Sequence, residues 1–238
     1  LRILIVGASK GLGKAFAEGL AGNDDTVIGI SRNRPKDLQL QTEAKVEWIS
    51  VDMSNSIQAS NIIEKQAPNE LDVIIYNLGI WEEEAFGNNY HFLKSSDEEI
   101  VNLIGTNITS AILLLKRLIP RLLKSKRPQI VLTGSTSGLP QSGGPEVAFG
   151  ASKFALRGIA NALREGFREE KLAVTCLHIG DLNTEDSLSE PIDIACQRGN
   201  GTLIPLRDVV DITRALLKIS NNSYVNEITL PAILDARF

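Results

Sequence analysis

Seven residues, Gly7-Ala8-Ser9-Lys10-Gly11-Leu12-Gly13, follow directly on an apolar run at 3–6 and lead into a stretch of helical period. Glycine is needed where backbone turns tightly and approaches a ligand, because a Cβ would block both. A helix starting there presents unpaired N–H groups and the positive end of its dipole, which suits a phosphate. The spacing G-x-x-x-G-x-G between strand and helix therefore predicts a dinucleotide site over Gly7, Ser9, Lys10, Gly11, Leu12 and Gly13. The second apolar run ends Ile30-Ser31-Arg32-Asn33-Arg34, with no carboxylate. A ribose 2′-hydroxyl calls for an acid at that place, and a 2′-phosphate for a cation. Ser31 and Arg32, with Lys10 in the turn, favour NADP(H) over NAD(H). A metal centre is not expected: Cys176, Cys196, His91 and His178 lack zinc-ligand spacing.

The elements that must hold these residues alternate from one end of the chain to the other. Strand-like runs are predicted at 3–6, 26–30, 46–50, 73–76, 129–133, 173–179 and 227–230. Helical patterns are predicted near 12–21, 55–66, 96–125, 151–169 and 207–219. Several strands are apolar throughout, as strands buried on both faces of a parallel sheet are. Such alternation predicts right-handed βαβ units, and so an α/β doubly wound Rossmann domain with a mostly parallel sheet of about seven strands. No linker or repeat divides the 238 residues, and one domain over 1–238 is expected. The least regular part, 181–205, is expected to be a substrate loop.

Apolar residues make up 43% and charged residues 23%, which excludes a disordered chain, and the net charge of −4 argues against a nucleic-acid partner. The most apolar stretch, 111–123, is interrupted by Lys116, Arg117, Pro120 and Arg121, so no membrane span is expected. Sparse cysteines and the absence of a cationic leader lead to an expected cytoplasmic location.

Taken together these motifs resemble the short-chain dehydrogenase/reductase family over nearly the whole chain. The glycine turn is similar to the family's T-G-x-x-x-G-x-G, with Val6 for threonine. The resemblance implies that Asp52, with Met53, contacts adenine. Asn77-Leu78-Gly79 resembles the family's N-A-G, and Gly180, Leu182 and Thr184 lie in a string similar to P-G-x-x-x-T, with Ile179 for proline. Asn102 and Asn107 compete for the family's catalytic asparagine. The family proline follows that asparagine by thirteen residues, so Pro120 assigns Asn107. Ser135, in a Gly/Ser/Thr turn after the fifth strand, stands where the family keeps its catalytic serine.

The family's Y-x-x-x-K is matched by Phe149-Gly150-Ala151-Ser152-Lys153. Spacing of four keeps both side chains on one helical face. In the family the tyrosine gives its proton to the alkoxide formed when hydride reaches a carbonyl, and the lysine lowers the phenol's pKa. Phe149 has no proton to give. The tyrosines are Tyr76, Tyr90 and Tyr224, so no shift of alignment restores one. Lys153 keeps the family's other role, bonding the nicotinamide ribose.

The resemblance thus implies an NADP(H)-dependent oxidoreductase acting on a carbonyl or alcohol, with a catalytic set of Asn107, Ser135, Phe149 and Lys153. Phe149 makes it an engineered variant, or a natural enzyme with an impaired or substitute donor such as Ser135, water at Lys153, or His178. The alternative is a non-catalytic NADP(H)-binding protein, serving as a redox sensor or an oligomeric partner. A homodimer or homotetramer is implied by the family's pairing of the helices at 107–125 and 151–168. Leu139, Pro140, Val147 and Leu182 are expected to line an apolar pocket. Glu82-Glu83-Glu84 reads as exposed loop, and the basic run from Lys116 to Arg127 as a solvated face.

Overall fold

The seven predicted strands all form, four with the predicted bounds and three longer by one residue. In the computed structural model, which describes residues 1–140 and 144–236, the strands are β1 (Arg2–Val6), β2 (Thr26–Ser31), β3 (Lys45–Ser50), β4 (Val73–Tyr76), β5 (Gln129–Thr133) and β6 (Ala173–Ile179). Two short strands, β7 (Leu182–Asn183) and β8 (Ile204–Pro205), pair with each other, and β9 (Glu227–Leu230) closes the main sheet. The seven-stranded sheet has the order β3-β2-β1-β4-β5-β6-β9, with every described pair parallel.

Alternate side chains of each strand feed two apolar layers. Leu4, Val6, Ile74, Tyr76, Leu132 and Cys176 face α2 (Ser56–Gln66), α4 (Ser110–Leu122) and α5 (Val147–Gly166). Ile3, Ile5, Ile75, Val131 and Leu177 face α1 (Gly11–Gly19) and α7 (Leu206–Leu216). Strand order reverses between β1 and β4, whose ends are in register at Val6 and Tyr76. In open α/β sheets the crevice beyond such a reversal receives the ligand.

Three predicted elements differ in detail. The helical stretch at 96–125 is α3 (Asp97–Ile104), a π turn at Gly105–Thr109 and α4. By length and composition Asp97–Leu122 is apolar enough to cross a bilayer. Its Leu103, Ala111, Leu114, Leu115 and Leu118 are instead buried in the protein. Helix α5 starts at Val147, not 151, and so takes in Phe149. The 181–205 segment carries β7, α6 (Ile192–Gln197) and β8. Its middle packs on the flank of α1: a Cβ at Gly19 would meet Leu188 at 2.6 Å and Val210 at 2.9 Å.

Candidate active site

The glycine turn is built for close approach. Gly7 and Gly11 have φ of +81° and +50°, and a Cβ at Gly13 would lie 1.9 Å from the Gly7 carbonyl oxygen. The left-handed region and that clearance both demand glycine. No side chain caps the N-terminus of α1, where Lys10 is exposed, so its N–H groups stay open to a phosphate. Asn77 N–H donates to the Val6 carbonyl at 3.1 Å. A Cβ at Gly7 would touch the Leu78 backbone at 3.1 Å, and one at Gly11 would touch Thr184 at 3.3 Å. The structure thus gathers Gly7, Gly11, Gly13, Asn77, Leu78 and Thr184 around one crevice. Leu12 and Met53 are buried, and Ser9 and Leu182 are half-buried.

Arg32 and Asp52 extend this crevice at the ends of β2 and β3. Ser31 is buried, and its hydroxyl donates to the Asn33 carbonyl at 2.7 Å. Arg32 is exposed. The Ser54 N–H bond to Asp52 holds that carboxyl below the usual range, and the Arg32 charge adds to the effect. Gly180 N–H donates to the Leu230 carbonyl at 2.9 Å, tying the glycine after β6 to the neighbouring β9.

At the other end of the crevice Lys153 is buried, and its Nζ donates to the Thr133 carbonyl at 3.0 Å. Burial pulls its pKa down to about 8. A Cβ at Gly79 would stand 3.3 Å from that Nζ and 3.9 Å from Asn107 Oδ1. Asn107, in the π turn, is buried and fully used. Its Oδ1 accepts the Ile80 N–H at 2.8 Å, while Nδ2 donates to the Ile80 carbonyl at 2.8 Å and to Ser152 Oγ at 3.0 Å. Asn102 is exposed on α3, and Asn107 is the asparagine brought to Lys153. Ser135 is half-buried, and its Oγ accepts the Ser137 N–H at 3.1 Å. The Phe149 ring lies 5.4 Å from Lys153 Nζ and meets Phe86 edge-on at 5.2 Å.

Glu82 corrects the expectation of an exposed acidic loop. Glu83 and Glu84 are exposed, but Glu82 is buried because its Oε1 accepts the N–H groups of Ala148 at 3.0 Å and Phe149 at 3.2 Å. A carboxylate at a helix N-terminus gains from the dipole as well as from the bonds. Tyr90 and Glu146 join it there: Tyr90 Oη accepts the Val147 N–H at 3.1 Å, and Glu146 accepts the Phe86 N–H at 2.9 Å. Sequence pattern offers no sign of this cluster, since the partners of Glu82 lie 66 and 67 residues away.

His178 is fully buried beneath α5, with Nε2 3.1 Å from Glu227, which Arg157 also engages at 3.2 Å. Burial lowers its pKa, although Glu227 opposes the shift. Of the expected pocket residues, Leu139 is half-buried and Pro140 and Val147 are exposed; residues 141–143 of that loop lie outside the described residues. On α5, Phe154 is exposed, while Ile159 and Leu163 pack on the core.

Comparison with known proteins bears on the family and the fold. Residues 2–191 match the short chain dehydrogenase family. The chain is 31% identical over 190 residues to an NADPH-dependent pterin aldehyde reductase of Arabidopsis thaliana, covering 77% of this chain and 75% of that one. Among solved structures, a short chain dehydrogenase family protein of Francisella tularensis superposes with a TM-score of 0.76 at 19% identity, covering 96% of both chains. A metagenomic short-chain oxidoreductase in complex with NADP gives 0.72 at 21% identity, covering 97% of this chain and 96% of that one.

Proposed function

The chain belongs to the short-chain dehydrogenase family, and on that premise we propose that this oxidoreductase uses NADP(H) to interconvert a carbonyl and an alcohol. The observation that carries the choice of cofactor is the pair of exposed cations, Lys10 and Arg32, beside an uncapped α1, with no acid at the end of β2. The NADP complex of a structural neighbour and the NADPH dependence of the Arabidopsis relative support the same choice. A nicotinamide cofactor supplies hydride when bound. The turn fits its pyrophosphate, because Gly7 and Gly11 at positive φ and the close packing at Gly13 lead the backbone into α1 with its N-terminus uncapped and open.

The remaining roles fall to this chain's own side chains. Lys153 presents a buried ammonium to the ribose, and Asn107 ties the Ile80 backbone to α5 through Ser152. The Ser135 hydroxyl polarises the substrate oxygen. Phe149 holds the seat of the proton donor but has no proton, so protonation passes through the Ser135 hydroxyl or water. Loss of a general acid lowers the rate by about 10²–10⁴ while leaving hydride positioning in place. The chain is therefore a slow reductase whose cofactor site is whole.

A second reading, an NADP(H)-binding protein without turnover, is favoured by the Phe86 ring against Phe149, which sets an apolar edge where a donor is needed. NADPH consumption against ketones and aldehydes, for this chain and its Phe149→Tyr variant, separates the two. Turnover in the variant supports the reductase; cofactor binding without consumption in either supports the second reading. Exposed Ile112 on α4 and Phe154 on α5 suit a homodimer or homotetramer formed through these helices.

A further inference from the structure

An imidazole lies directly beneath the turn that carries Ser135. His178, on β6, is 0% exposed, and a Cβ at Gly134 would stand 2.9 Å from its Nδ1. Its other nitrogen, Nε2, is 3.1 Å from Glu227 on the edge strand β9. Arg157 of α5 serves the same carboxylate, its Nε donating to Oε1 at 3.3 Å. Although burial opposes it, the Arg157 bond holds the Glu227 carboxyl below its usual range, so the group is ionised. A carboxylate only accepts, so Nε2 carries the hydrogen and Nδ1 is left as a lone pair. That lone pair is buried and has no hydrogen-bond partner among the described residues.

On gaining a proton, Nδ1 meets the Ser135 backbone. The acceptor there is the Ser135 carbonyl, which takes the Gly138 N–H at 2.9 Å and has a second lone pair. Burial disfavours the charged ring most, and Arg157 adds to that; Glu227 and the Ser135 backbone favour it. The ring therefore takes up its proton below its ordinary 6.5 and is neutral at pH 7. Two further titratable groups pack nearby. Cys176 stays a neutral thiol, since burial pushes it up to about 12, and Lys153 is bonded to the Thr133 carbonyl. Strand β5 brings no titratable side chain. The Arg157 and Glu227 side chains are 28% and 23% exposed, so the network opens to solvent at the sheet edge.

We propose that His178 is a positioning residue for Ser135, with two settings. The neutral ring is clamped to Glu227 and leaves the turn held by its own bonds. The charged ring also donates from Nδ1 to the Ser135 carbonyl and draws the turn toward β6. The proton comes from solvent and returns to it. The role rests on the oxidoreductase reading, which sets Ser135 against the substrate oxygen.

The chain has two histidines, and His91 is exposed, so NMR separates its ring from that of His178. Nitrogen-15 spectra of the full chain, taken from neutral pH down to acid unfolding, read the tautomer and the titration of the buried ring. Amide spectra read the turn. An Nε2–H tautomer is expected at pH 7, with Ser135 and Gly138 amides that shift at the midpoint of the ring. Glu227→Gln is expected to lower that midpoint by about one unit or more, and Arg157→Met to raise it. An Nδ1–H tautomer at pH 7, a ring that stays neutral until the chain unfolds, or turn amides that ignore its titration overturns the proposal. So does a midpoint that neither substitution moves. The unaltered chain decides the coupling by itself, so a variant that misfolds leaves the test intact. The pH profile of NADPH consumption is expected to bend at the same midpoint and to lose that bend in His178→Gln; a profile that the substitution leaves unchanged overturns the positioning role. Absence of consumption at every pH strikes the reductase reading instead, and the spectra still decide whether the ring sets the turn.

Discussion

Lys153 Nζ lies 5.4 Å from the centroid of the Phe149 ring, one helical turn back on α5. The arrangement that would couple an ammonium to a phenol is thus retained around a ring that has none. A cation near an aromatic face gains about 0.5–2 kcal/mol, and Lys153 also bonds the Thr133 carbonyl. These contacts offset only part of the cost of burying its charge, as the lowered pKa of about 8 records.

That shift has a definite pH signature. Below about pH 8 the lysine is protonated in the folded and unfolded chain alike, and the burial penalty is fully present. Between about 8 and its ordinary 10.5 the unfolded chain holds a proton that the folded chain does not, so this group makes stability rise with pH. Lys153→Met removes the penalty and also the bond to Thr133. A net gain of about 1–2 kcal/mol is expected at pH 7 in the cofactor-free protein, with a flatter pH slope and weaker NADPH binding. Denaturant titrations at pH 7 and 10 check this. A destabilised variant that keeps the slope would contradict it.

Gly13→Ala places a methyl 1.9 Å from the Gly7 carbonyl oxygen, a backbone atom that cannot move aside without opening the turn. Loss of NADPH binding by more than about 100-fold is expected, with destabilisation of about 2–4 kcal/mol. Fluorescence titration with NADPH and thermal melts read the two effects. Near-normal binding would remove the glycine turn from the cofactor site.

Discrimination between cofactors is expected to follow Arg32 and Lys10. Replacing both with alanine weakens NADPH about 10–100-fold and leaves NADH within about twofold, because the missing partner is the 2′-phosphate alone. Parallel titrations with the two cofactors decide. Equal losses for both would mean that these cations serve the pyrophosphate or the fold.

The two asparagines offer a contrast of burial. Asn107→Ala leaves the Ile80 N–H and carbonyl without this partner and removes the bond to Ser152 Oγ, which keeps its own bond to the Phe149 carbonyl at 2.7 Å. A loss of about 2–4 kcal/mol is expected, against less than about 0.5 kcal/mol for Asn102→Ala at its exposed site. Chemical denaturation of both variants measures the difference; similar small losses would deny Asn107 its tie between Ile80 and α5.

Strands β4, β5 and β6 were legible because they are short, largely apolar and buried, and they begin and end as predicted; β9, only half-buried at the sheet edge, was legible from its β-branched residues. The glycine turn was legible for the opposite reason, since its residues answer a local backbone need. The start of α5 was not, because Glu146 provides no side-chain cap and the capping carboxylate, Glu82, comes from a distant loop. The π turn around Asn107 was equally hidden. Its widened backbone is held by Ser56 donating to the Gly105 carbonyl at 3.0 Å and Tyr76 donating to the Thr106 carbonyl at 3.1 Å, contacts set by tertiary packing. Long-range bonds of this kind leave no period in a sequence.

The most direct test of the account is the turnover of Phe149→Tyr beside the unaltered chain, with NADPH and a panel of ketones and aldehydes. The account predicts that NADPH binds both alike and that the tyrosine form consumes it faster by about 10²–10⁴. Unchanged turnover by an enzyme already active with Phe149 would contradict it, because the proton would then come from a donor that does not need this seat.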